Sequence, residues 1–314
     1  MTLGWSSAVS DGRRRALTSA KADRHDSAWR LQPTAGRPLS AEPLGSNKVR
    51  MSILISVTAL LLLVTLLSVV AHANDLADYL RASQEFQELV ALAAKEGRVP
   101  RLMDRNAANL ILVLSDSKRY LHETTYEVRD LRLLADVCGK ATAAVMLYAL
   151  FDLGNAIDRK ADATRIALQV AQLMERNVER FQDELQHLQP FLLRCWAKQI
   201  PLLNDFIVSL PPAEFTDVRR AGIQNTRQGA FAVYYGFLQA ANNRALKEPY
   251  KEAVFSAMAE NAAQYASILQ PTTRRQVADV AASMSAVVHG RLRDYIEQIL
   301  RAMKDTRCEG LCRF

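Results

Sequence analysis

Apolar residues recur at intervals of three and four along most of the chain after residue 74, which is the period of an amphipathic helix. The first such pattern begins after Asn74 or Asp75, either of which can cap a helix, and runs to about Lys95. Further helices are predicted over about 104–121, 124–151, from 162 onward, 214–244, 249–269 and 271–304. We therefore expect an all-α fold, a bundle of about six or seven helices within residues 74–314.

The fourth of these helices has the most regular pattern, a heptad seam of the kind that coiled coils use. Its apolar positions are Ala171, Met174, Val178, Phe181, Leu185, Leu188, Leu192 and Cys195. Pro190 lies inside this seam, and a proline removes a backbone hydrogen bond, so we expect a kink or break there. Pro201 should end the helix or bend it again.

The fifth helix carries three glycines at seven-residue intervals on one flank of its seam, namely Gly222, Gly229 and Gly236. A glycine inside a helix costs about 1 kcal/mol relative to alanine, so some interaction should offset them. The simplest such interaction is the close approach of a neighbouring helix. The nearby Phe231, Tyr234 and Tyr235 are expected in the core, or alternatively beside the glycines in a groove for a small apolar ligand or a peptide helix.

An uncharged apolar run over residues 53–71 precedes this helical region. Lys48 and Arg50 lie before the run, whereas the first charges after it are acidic. Basic residues resist translocation, so the N-terminal side is predicted to stay in the cytoplasm and residues 74–314 to be exported.

Two forms of export remain open. Residues 51–73 resemble a signal peptide in which Ala71 and Ala73 occupy the small positions before a cleavage site, with Asn74 as the mature N-terminus. The product would then be periplasmic or secreted. The apolar run is, however, long enough to remain as a single membrane anchor through residues 53–71.

The charge of the chain is concentrated at its start. The 314 residues carry a formal net charge of +7, and the basic excess lies mostly in residues 1–50. That segment lacks apolar periodicity, so it is either a disordered basic tail or lies before the true translation start, which would then be close to residue 51. Residues 74–314 are almost neutral, and we expect no nucleic-acid binding.

All four cysteines, Cys138, Cys195, Cys308 and Cys312, lie on the exported side, where disulfides persist. Three connectivities are possible, and free thiols are a further alternative. Cys138 and Cys195 both fall on apolar seams, which favours a cross-link between the third and fourth helices. Cys308 and Cys312 then close a small loop in which Gly310 lets the chain turn.

Metal and catalytic chemistry have weak support. Glu184 and His187 have the Glu-x-x-His spacing of carboxylate-bridged metal bundles, but no second copy exists. The seam register places both on its flanks, so we expect a solvated acidic face. Hydrolase and nucleotide-binding motifs are absent from the sequence. We predict no cofactor and no metal.

The sequence thus favours a non-catalytic exported helical protein of the cell envelope that binds a protein partner or scaffolds an assembly. The alternative is a helical bundle that binds a small ligand or is an enzyme.

Overall fold

The computed structural model describes residues 75–122, 126–158 and 161–313, and in these ranges the chain forms helices and no β-strand. The all-α prediction is thereby confirmed. Ala71, Ala73 and Asn74, together with residues 1–50 and the run 53–71, lie outside the described residues. Of the helices described, none has both the length and the hydropathy required to cross a membrane.

Helix α1 extends over residues 75–95. The helices that follow are α2 (Arg105–Leu114), α3 (Ser117–Tyr120), α4 (Leu131–Ala149), α5 (Leu153–Ala156), α6 (Ala163–Arg180), α7 (Gln182–Val208), α8 (Asp217–Ala240), α9 (Glu248–Glu260), α10 (Ala262–Ile268), α11 (Pro271–Ser285) and α12 (Gly290–Asp305). Short 3₁₀ turns occupy Val128–Asp130, Pro212–Glu214 and Gly310–Arg313.

Several helices that the periodicity predicts as continuous are divided in the structure. Phe181 separates α6 from α7 and Asn261 separates α9 from α10. Both residues have φ near −110° and ψ near 10–20°, so the axis changes direction while the apolar period continues across the junction. Gly290, with φ of 62°, begins α12 directly after the link from α11.

The prolines do not divide the fourth predicted helix. Pro190 and Pro201 both lie inside α7, which continues to Val208, and the break occurs at Phe181 instead. Pro190 is buried, as are Leu188 and Phe191 beside it. Contacts of this kind stabilise the helix against the loss of one backbone hydrogen bond.

Helix α7 is the centre of the core. It packs against α4, α9, α10 and α2. The Phe191 ring stacks on Tyr79 of α1 with 4.9 Å between centroids, so α1 is fastened to α7 as well. At the other end of the chain, α11 packs on both α12 and α8. Among helices α2 to α12, α8 has one extensive helical neighbour, α11.

Candidate binding groove

An open groove of about 530 Å³ lies between α8 and α11. Its apolar surface comes from Phe215, Ile223 and Phe231. The polar lining consists of two guanidinium groups, four side-chain amides and one hydroxyl, contributed by Arg220, Arg227, Gln224, Gln228, Gln270, Gln276 and Thr273. Among the described residues no carboxylate lines this groove. The arrangement suits a ligand with both apolar and hydrogen-bonding parts.

Helix geometry explains why α8 presents these side chains together. Arg220, Gln224, Arg227 and Phe231 follow one another at intervals of four, three and four, which places them on one face of α8. Ile223 on the edge of that face is buried against the core. The Thr216 hydroxyl accepts a hydrogen bond from the Arg219 backbone N–H and caps the start of α8.

Arg227 joins the groove to the C-terminal segment. Its Nε donates to the Ile268 carbonyl at 3.0 Å, and its Nη2 donates to the Leu311 carbonyl. Burial lowers the pKa of Arg227 below its ordinary value. Neither bond provides a negative charge, and no carboxylate in the described ranges pairs with this guanidinium.

The C-terminal loop is held in place by contacts from three helices. Leu311 is buried, and its N–H donates to Asn204 Oδ1 of α7 at 2.9 Å. Gly310 has φ of 54°, which favours glycine, and a Cβ there would displace the Asn204 amide from this hydrogen bond. The Arg227 bond to Leu311 and the contacts of the Gly310–Arg313 turn with α10 add to this, so the loop is fastened against α7, α8 and α10.

Both disulfide bonds have the pairing that the sequence favoured. Cys138 of α4 is joined to Cys195 of α7 with 5.6 Å between Cα atoms, and both residues are fully buried. Cys308 is joined to Cys312, which closes the C-terminal loop beside the groove. One bond therefore cross-links the centre of the core, and the other stabilises a segment that Arg227 contacts.

The expected close packing at Gly222, Gly229 and Gly236 is wrong. In the described part of the chain nothing lies within 4 Å of the position that a Cβ would take at any of the three. The groove is also not beside them, because at 100° per residue the glycines fall on the opposite side of α8 from Arg227 and Phe231. Within residues 75–313 as described, no neighbouring helix offsets the free energy that these glycines cost α8.

The three aromatic residues on α8 have different environments. Tyr234 is fully buried and donates a hydrogen bond from its hydroxyl to the Met258 carbonyl at 2.7 Å, which makes it a core residue. Burial raises the pKa of Tyr234 well above its ordinary value. Phe231 lines the groove and packs on the Tyr235 ring with 5.0 Å between centroids. Of the three, the groove receives Phe231 alone.

The expected solvated position of Glu184 is also wrong. It is 1% exposed rather than part of a solvated acidic face, and its Oε1 accepts hydrogen bonds from Arg101 Nε at 2.8 Å and the Leu102 N–H at 3.0 Å. Tyr148 lies nearby and donates to the Pro100 carbonyl at 2.8 Å. Burial first, and then the charge of Glu184, raise the pKa of Tyr148. This cluster fixes the segment before α2 to α7.

His187 lies close enough to Glu184 and Asp183 for their charges to act on it. The described residues contain no group of three or more histidine, cysteine or carboxylate side chains that could hold a metal ion. Burial lowers the pKa of the half-buried His187, and the nearby carboxylates of Glu184 and Asp183 oppose that shift in part.

The groove residues other than Phe231 were missed by the sequence analysis. The shared face of Arg220, Gln224 and Arg227 is visible in the sequence and could have marked one wall. The opposite wall, from Gln270, Thr273 and Gln276, depends on which helix packs against α8, and no local pattern indicates that pairing. In comparisons with known proteins, no family, no curated protein and no solved structure matches this chain.

Proposed function

We propose that this chain is a non-catalytic, exported helical protein of the cell envelope, and that it acts by binding a protein partner through the α8–α11 groove. The observation that carries this proposal is the groove itself. It is open along one side rather than enclosed, and it combines an apolar surface with a polar lining, as protein-binding surfaces do.

The disulfides support the choice of compartment. Disulfide bonds form and persist mainly in oxidising compartments, and one of the two lies in the centre of the core. An exported position also agrees with the charge asymmetry around residues 53–71. That run would act as a signal peptide or as a membrane anchor.

A photo-crosslinking experiment in the source cells tests the proposal. A photoreactive amino acid replaces Gln228 in the groove, and in a matched control it replaces Asp294, which is exposed on α12. We expect one protein adduct at position 228 and none at position 294. A reporter enzyme that requires export, fused behind Phe314, should be active in the same cells.

Two results would count against the proposal. Equal labelling at both positions would mean that the groove has no preferred partner. A reporter active only in the cytosol would remove the envelope location.

Binding of a small ligand is the second candidate, and the groove volume favours it. About 530 Å³ lies within the range of about 300–1,000 Å³ that small-molecule sites occupy. Native mass spectrometry of the protein purified from its source distinguishes the two functions. A retained small molecule lost in a Phe231→Ala variant would support this candidate.

A further inference from the structure

The lining of the α8–α11 groove is positively charged. Arg220 and Arg227 contribute two guanidinium groups, while the described residues contribute no carboxylate to the lining. Cationic side chains set into a concave surface concentrate the electrostatic field there and attract anions. The sign of the ligand charge can therefore be inferred from the groove.

Arg227 is the stronger of the two anchors. It is half-buried, and its two hydrogen bonds go to the neutral carbonyls of Ile268 and Leu311. Charged groups removed from water are usually paired with an opposite charge, because their desolvation is unfavourable. In the described ranges Arg227 has no such partner, so an incoming carboxylate would complete its environment.

Arg220 is available as a second anchor. Its guanidinium lies over the Phe215 ring at 5.3 Å from the centroid, and its Nε is 3.3 Å from Asp217 Oδ1. Both charged side chains of that ion pair are exposed, and such pairs contribute little stability. A ligand carboxylate can therefore replace Asp217 without a large loss.

The amides indicate a peptide. Gln224, Gln228, Gln270 and Gln276 line the groove and are exposed, so a ligand can reach their amides. Each amide offers a donor and an acceptor, which matches the N–H and C=O of a peptide backbone. Phe231 lies four residues beyond Arg227 on the same face, about 6 Å further along α8, and provides surface for an apolar side chain next to the acidic pair.

We propose that the α8–α11 groove binds an acidic peptide segment of the protein partner, with one carboxylate at Arg227, another at Arg220 and an apolar residue against Phe231. This inference rests on the proposed partner-binding function. The two arginines are seven residues apart, about 10 Å along α8. A peptide in the polyproline II conformation rises about 3.1 Å per residue with three residues per turn. Side chains three positions apart then lie on the same side about 9 Å apart, which favours two acidic residues separated by two others.

Selection from a random dodecapeptide library against the purified, oxidised full-length chain tests this. We expect enrichment of peptides with two acidic residues and an apolar residue on one side of that pair. The enriched peptide is then synthesised with a fluorophore, and its binding is measured by anisotropy. Arg220→Gln and Arg227→Gln should each weaken it about tenfold, since a charge-assisted hydrogen bond is lost.

Controls separate lost binding from lost folding. Arg293→Gln removes an exposed charge of α12 that pairs with Glu297, and it should leave the affinity unchanged. Circular dichroism shows whether Arg227→Gln folds. If it does not fold, Arg227→Lys replaces it, because lysine keeps the positive charge but cannot form the paired hydrogen bonds of a guanidinium. Arg227→Lys should then weaken binding less than tenfold, while Arg220→Gln still weakens it about tenfold.

The peptide proposal is overturned if selection enriches no peptide, or peptides without acidic residues. It is also overturned if Arg220→Gln and Arg293→Gln bind the acidic peptide equally well. These failures differ from failure of the proposed function: a partner crosslinked at position 228 whose binding ignores Arg220 and Arg227 would retain the function and remove only the acidic peptide.

Discussion

Helices α7 and α8 are both long and both follow an apolar heptad pattern, yet the structure uses them in opposite ways. Fourteen of the 27 residues of α7 are buried, whereas only four of the 24 residues of α8 are. Helix α7 therefore contributes mainly to the core, whereas α8 contributes mainly to the surface. A helix that is packed on most sides stabilises the fold, while a helix with one extensive neighbour is free to contribute to a binding groove.

The same contrast explains how each helix tolerates residues that disfavour helices. Pro190 and Pro201 in α7 lie in a helix that tertiary packing stabilises on several sides. Gly222 and Gly229 in α8 face open space, so nothing in the described structure offsets them. Loss of stability should thus follow changes in α7, and gains should be available in α8.

The largest expected effect is loss of the core disulfide on α7. Replacing both Cys138 and Cys195 by alanine removes a cross-link between residues 57 apart in sequence. Without the cross-link the unfolded chain has more conformational entropy, which lowers the free energy of unfolding by about 4 kcal/mol. Urea unfolding followed by circular dichroism measures this. A loss below about 1 kcal/mol would show that α4 and α7 do not depend on the bond.

The next effect concerns the buried carboxylate of α7. Glu184→Ala leaves Arg101 and the Leu102 N–H without their acceptor. Removing one member of a buried ion pair is strongly unfavourable, so we expect the free energy of unfolding to fall by about 3 kcal/mol. Glu175→Ala, an exposed position on α6, is the matched control and should change it by less than about 0.5 kcal/mol. Equal effects of the two substitutions would contradict the burial of Glu184.

A smaller loss is expected at the loop that fastens α8. Replacing Cys308 and Cys312 by serine opens a bond between residues only four apart, and a short loop gives less entropic stabilisation, about 2 kcal/mol. Because Leu311 accepts a hydrogen bond from Arg227, amide hydrogen exchange in α8 should increase as well. If exchange rises only in residues 306–313, the loop does not restrain α8.

On the open flank of α8 we expect substitutions to increase stability rather than to decrease it. Gly222→Ala and Gly229→Ala each meet open space, and alanine is the better helix former, so each should raise the free energy of unfolding by about 0.5–1 kcal/mol. Thermal unfolding of each variant tests this. Destabilisation by either alanine would mean that another helix does pack closely there.

The smallest effect is the pH dependence contributed by His187 on α7. Its pKa is lowered by burial, so the unfolded chain binds a proton more readily than the folded protein. The contribution to stability is present above pH about 6.5 and is lost as the pH falls below that value. A His187→Gln variant should lose less stability than the native protein between pH 7 and 5. Identical pH profiles would place the imidazole in solvent.

The local pattern of the chain was sufficient for its helical class and for the preferred pairing of its cysteines, but it did not show the helix breaks at Phe181 and Asn261. The apolar period, the capping residues and the glycines act over a few residues, so they can be recognised in the sequence without knowledge of the tertiary packing. The seam that contains Cys195 and the loop that contains Gly310 both belong to this group.

Packing between distant segments decided the rest. Glu184 is buried because Arg101, 83 residues earlier, is brought against α7, and no periodicity in α7 records that partner. The glycines of α8 face open space because α11 packs on the other side of the helix, and the same packing creates the groove. Burial is a property of the neighbours of a helix, whereas periodicity describes only the helix itself.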